Sequence, residues 1–165
     1  MRGASQPWEI VTRRTLLRRL GLALVGLGVA IQLVPVPRDD RTGTTVTLDA
    51  PPAIVAALRD ACYDCHSQST VWPWYSRIAP VSWLVAHDVA EGREHLDLST
   101  WSGLRPARRA KLFGEIAEDV EKGEMPPVLY RLAHPEARLD EATRSAIVAW
   151  ARASADSTRD GARAR

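Results

Sequence analysis

The sequence predicts an all-α domain preceded by one apolar N-terminal helix. Three observations support this. Apolar residues recur at helical spacing in four stretches after residue 50, no run alternates apolar and polar as a half-buried strand would, and one uncharged stretch near the N-terminus can span a bilayer. No internal repeat is visible. The 165 residues suit one domain with extensions, and 45% hydrophobic and 25% charged residues are ordinary for a globular chain.

Residues 20–34 read LGLALVGLGVAIQLV, with Gln32 the one polar side chain. Arg2, Arg13, Arg14, Arg18 and Arg19 precede this run, and only Glu9 offsets them. The positive-inside rule then keeps the N-terminus in the cytoplasm and sends Pro35 onward across the membrane. The expected location is the bacterial inner membrane, single-pass, with the C-terminal domain on the periplasmic side. A cleaved signal peptide is the alternative, but no clean A-x-A site ends the run, so an uncleaved anchor is preferred. The stretch TRRTLLR loosely resembles a twin-arginine export signal, although basic N-terminal regions often contain such pairs.

Residues 1–37 are therefore read as basic segment and membrane anchor or signal, and 38–49 as a polar linker. Residues 50–153 form the folded domain, and 154–165 a disordered tail. From Arg38 onward there are 17 basic and 19 acidic side chains. The basic balance of the whole chain thus belongs to its targeting segment and is not the footprint of a nucleic-acid site.

Within the domain, Asp49, Pro51 and Pro52 signal a helix start, and Ile54, Leu58, Ala61 and Cys62 follow at helical spacing. Residues 67–80 hold two prolines and no lasting period, which predicts a packed loop. Ser82 is placed to cap a second helix, with Val85 and Val89 on one face and an end near Gly92 or His95. Pro106 opens a third helix with a stripe of Leu112, Phe113, Ile116 and Val120, and Gly123 stops it. Asp140 caps a last helix in which Thr143, Ala146, Ile147 and Trp150 share a face.

Six tryptophans against one phenylalanine is unusual, and four of them (Trp72, Trp74, Trp83, Trp101) fall within residues 72–101. They either surround a large flat group or fill a small core; both readings stay open on composition alone.

The only two cysteines sit in CYDCH at residues 62–66, which fits C-x-x-C-H, the signature of c-type haem attachment. Two thiols three positions apart at a helix end can reach the two vinyl-derived carbons on one porphyrin edge. The adjacent imidazole of His66 then meets the iron. A thiol–disulfide site would ordinarily sit in a βαβ setting, which is absent here. A zinc site would need two more ligands, and His87, His95 and His134 form no obvious second pair. A disulfide across two residues is strained. One covalent haem c on Cys62, Cys65 and His66 is the expectation.

Met125 is the predicted sixth ligand. It is the only methionine besides Met1, and Pro126 and Pro127 stiffen the chain after it. A thioether raises the potential of haem iron relative to a second imidazole. His134 and His87 are the competitors. His87 is read as a core histidine beside Trp83, His134 as a loop histidine that caps or hydrogen-bonds, and His95 as exposed. The second nitrogen of His66 needs an acceptor, expected from a carbonyl near Pro73 or Pro80.

The run CYDCHSQSTVWPWYSRIAPVSW, then HDVAEGREHLDLSTW, then KGEMPPVLYRLAHPEARL and a last helix ending in AW, resembles the bacterial haem-binding domain family. The match extends over roughly residues 51–150. The resemblance implies covalent haem at Cys62, Cys65 and His66 and marks the GEMPP segment around Met125 as a family feature. It also fits a cytochrome c-like arrangement with long Trp/Pro-rich loops, in which the helix leading to the attachment site crosses the C-terminal helix. The expected role is one-electron transfer with membrane or periplasmic redox partners, an electron carrier and not an enzyme. A haem-based gas or redox sensor or ligand-binding module, with a displaceable sixth ligand, is the alternative, and an enzyme such as a peroxidase is a further one.

Overall fold

The uncharged stretch forms a helix because nothing within it interrupts one: α1 runs over Pro7–Ala30 and tightens into a 3-10 turn at Ile31–Leu33. These elements come from a computed structural model of the protein, which describes residues 7–38 and 48–164. Most of the predicted linker, and Arg2, lie outside the described residues. The segment Thr12–Leu33 is long and apolar enough to cross a membrane, and no part of its most apolar window is buried in the protein.

The described residues contain only helices and turns, as their spacing predicts. α2 spans Pro52–Ala61 with proline in its first turn, and α3 is the single turn Tyr63–His66 that carries the motif. α4 spans Val81–His95, α5 Pro106–Lys122, α6 Val128–Ala133 and α7 Glu141–Arg163. Short 3-10 turns lie at Trp74–Arg77, Leu98–Gly103 and Pro135–Ala137.

The core is built on the antiparallel pair α5 and α7. Leu112, Phe113, Ala117 and Val120 face Ile147, Val148, Ala151 and Ala155, and Ile54 and Leu58 of α2 close the cluster. Phe113 is its hub, edge-on to Trp101 at 4.7 Å and to Trp150 at 5.3 Å between ring centroids. The helix leading into the motif does touch the C-terminal helix, but the larger contact is α5 on α7.

Three local expectations need correction. The tail does not fray at Ser154: α7 continues to Arg163, because Ala151 and Ala155 are small enough to stay buried against α5. The inward stripe of α7 is rotated from the predicted one, leaving Ala146 exposed while Val148 is buried. Ser82 does not cap α4 and is buried in its first turn instead.

Candidate functional site

α2 ends where α3 begins: the amide of Cys62 donates to Leu58 O at 2.8 Å, and the amide of His66 donates to Cys62 O at 2.9 Å. This continuous turn sets both thiols and the imidazole on one short segment. Both cysteines are free and half-buried. Burial, reinforced by the neighbouring Cys65, pushes the Cys62 thiol up to about 12. Burial and the Asp64 and Asp88 carboxylates push Cys65 up to about 11. Both sulfurs are protonated at neutral pH, the opposite of the lowered thiol that disulfide exchange requires.

His66 is held by the C-terminal end of α4. Its Nδ1–H donates to Gly92 O at 2.9 Å and to Leu96 O at 3.0 Å. Carbonyls only accept, so Nδ1 carries the proton and Nε2 keeps its lone pair. Burial lowers the pKa of the ring and the two carbonyl bonds oppose that only in part, so the imidazole is neutral. A neutral ring with Nδ1 tied to backbone oxygen is the arrangement of a metal-ligating histidine. The acceptors lie on α4, not in the proline-bearing loop near Pro73 or Pro80 that the sequence suggested.

Of the two ends the sequence offered for α4, His95 is the one observed, and the role of Gly92 is what sequence reasoning missed. Gly92 does not end α4 but lies inside it, where a Cβ would come within 2.9 Å of Cys65 O and 3.2 Å of Cys65 Cβ. Only glycine lets α4 approach the motif this closely. The signal was a glycine within an otherwise helical run, which is more often a packing site than a stop.

Met125 sits on the corner after α5. Gly123 adopts φ 74°, and the amides of Glu124 and Met125 both donate to Asp119 O, at 2.9 and 3.2 Å. This is a Schellman end, and Arg144 of α7 adds a bond to Val120 O at 2.8 Å. Pro126 is almost fully buried, and Met125 packs against the core.

The competing histidines have other partners. His134 stacks on Tyr130 at 4.2 Å, its Nδ1–H donates to Glu136 at 2.9 Å, and its Nε2 accepts from the Tyr75 hydroxyl at 2.7 Å. Neither nitrogen is left for a metal. His87 is exposed on α4 beside Glu91, so it is not a core histidine. The tryptophans divide between the two readings: Trp101 fills the core, whereas Trp74 is 74% exposed.

The residues fit a porphyrin. Asp64, inside the motif, accepts from the Tyr130 hydroxyl at 2.8 Å and from the Val71 amide at 2.9 Å, which draws α6 and the 67–73 loop to α3. Those two elements present exposed Val71, Leu129 and Leu132, an apolar surface of the kind a haem face covers. Among the described residues no three His, Cys, Asp or Glu side chains gather as a metal cage.

A family model described as a haem-binding domain matches residues 26–153. Comparison with curated proteins and with solved structures gave no match.

Proposed function

This chain belongs to the haem-binding domain family, and on that premise we propose that it is a membrane-anchored c-type cytochrome carrying single electrons. Haem, when bound, supplies the one-electron couple. The chain's own residues divide the remaining work. Cys62 and Cys65 would hold the group through thioether bonds, and His66 would offer Nε2 to the iron. Met125, held by the Schellman corner and the buried Pro126, would supply a thioether as the second ligand. A group so held would serve one-electron transfer, which favours a carrier over an enzyme. α1 anchors the domain in the inner membrane, and Arg13, Arg14, Arg18 and Arg19 in its N-terminal part favour a periplasmic domain. The partners are then membrane or periplasmic redox proteins, engaged through their basic faces by a soluble part of slight negative charge.

The observation that carries this reading is the His66 ring, neutral and fixed through Nδ1 to Gly92 O and Leu96 O. The test is protein made with intact cytochrome maturation machinery. Mass spectrometry is expected to find one haem on the peptide containing residues 62–66, and the reduced spectrum to be that of a low-spin c-type cytochrome. Met125→Ala is expected to lower the potential and open the iron to carbon monoxide. Absence of the haem mass would remove the covalent reading. Ready carbon monoxide binding by the wild type would favour the sensor.

A further inference from the structure

The apolar helix and the domain meet at one small joint. The span Thr12–Leu33 has 22 residues. Arg13, Arg14, Arg18 and Arg19 lie in its first turns and belong at the near headgroups, so residues 20–33 carry the crossing, about 21 Å at about 1.5 Å per residue against a hydrocarbon core of roughly 30 Å. A run this short is matched by local thinning of the bilayer, which draws its last residues to the far boundary. Gln32 stands there and exchanges two hydrogen bonds with Ala79: its Nε2–H donates to Ala79 O at 3.1 Å, and the Ala79 amide donates to its Oε1 at 2.9 Å. Arg38 adds a second tie, donating to Ser76 O at 2.5 Å with its guanidinium 5.0 Å from the Trp72 ring centroid.

These bonds hold the backbone of Ala79 level with the end of the span. On either side of Ala79 the exposed side chains are mostly apolar. Ile78 is 47% exposed and Leu84 51%, and Val81 and Trp83 are exposed with them. Arg77 is exposed beside Ile78. Aliphatic side chains interleaved with tryptophan and arginine are costly to expose in water and suit the membrane–water boundary, where the rings and guanidinium meet headgroups.

We infer that residues 77–84 lie in the phospholipid headgroup layer, so that the domain rests on the bilayer by a fixed face and does not swing on a free tether. The inference rests on the anchor reading above. Continuity carries it: the patch begins one residue from the bonded partner of Gln32, so a membrane around α1 is a membrane against Ile78. α4 starts in this patch and is about 22 Å long. The carbonyls that hold His66 lie at its other end.

The test uses the full chain in nanodiscs of phosphatidylethanolamine and phosphatidylglycerol, with hydroxyl-radical footprinting normalised for side-chain reactivity and accessible area. Trp83 and Leu84 are expected to react at least fivefold more slowly than His95, exposed at the opposite end of the same helix. Leu20, Leu24 and Leu27 report the anchor separately. If they are protected while Trp83 and Leu84 react at the full rate, this inference falls and the anchor stands. If they too react fully, both fall. Gln32→Leu leaves the span apolar and removes the amide pair. It is expected to raise the Leu84 rate at least twofold with the span still protected, and an unchanged rate would overturn the fixed face.

Discussion

Single side chains decide how tightly the motif is gripped. At Gly92 a methyl group would collide with Cys65 O, and neither α4 nor α3 can yield without moving His66. Gly92→Ala is expected to cost about 1–3 kcal/mol, as overpacking does, and to lower the yield of haem-loaded protein; Tm and the haem-to-protein absorbance ratio measure the two effects. The thiols set a pH window for the haem-free fold. An unfolded thiol ionises near 9, whereas folded Cys65 and Cys62 hold their protons to about 11 and about 12. Between those values the unfolded chain has lost protons that the folded chain retains, so stability falls as pH rises. Urea midpoints of haem-free protein are expected to drop from pH 9 toward pH 11, and Cys62→Ser/Cys65→Ser to flatten that slope. Tyr130→Phe removes the hydroxyl bond to Asp64 and is expected to cost about 1 kcal/mol, read from the same urea curves.

Elements bring these side chains together by their ends. The C-terminal end of α4 supplies carbonyls for His66, and its negative dipole end suits an imidazole N–H. The end of α5 turns through Gly123 to aim the Met125 corner, and α6 is pinned to α3 through Asp64. Gly123 alone among the described residues combines positive φ with a role in that corner. Gly123→Ala places a Cβ in the left-handed region at a cost of about 1–2 kcal/mol. The expected signature is a weakened Met–iron absorption band in oxidised protein at a temperature where the helices, followed by circular dichroism, remain intact. Equal loss of both signals would mean that the corner has no separate role.

At the scale of the molecule, the α5–α7 pair is the platform on which the motif and the joint are mounted. Phe113 links Trp101 and Trp150 across it. Phe113→Ala is expected to cost about 3–5 kcal/mol, enough to endanger the fold. Deleting residues 154–165 removes the buried Ala155 and the last turns of α7. A loss of about 1 kcal/mol would lower Tm by about 4 °C for a domain of this size. A disordered tail would leave Tm unchanged, so calorimetry of the truncated chain separates the two.

The sequence by itself determined whatever depends on neighbours along the chain. The apolar span, the helix starts at Pro52 and Pro106, the Asp140 cap, the Gly123 stop and the C-x-x-C-H spacing are all local, because period, capping and left-handed backbone act over a few residues. Tertiary structure decided what depends on distant partners. Gly92 reads as one of two possible helix ends, beside His95, until Cys65 is seen against it, and His134 reads as a ligand candidate until Tyr75 and Glu136 occupy its ring. Ser154 reads as the start of a loose tail until α5 covers Ala155, and Gln32 as a stray polar residue until Ala79 pairs with it, 47 positions away. A side chain's hydrogen-bonding and packing capacity is fixed by its chemistry, but only folding chooses which distant group uses it.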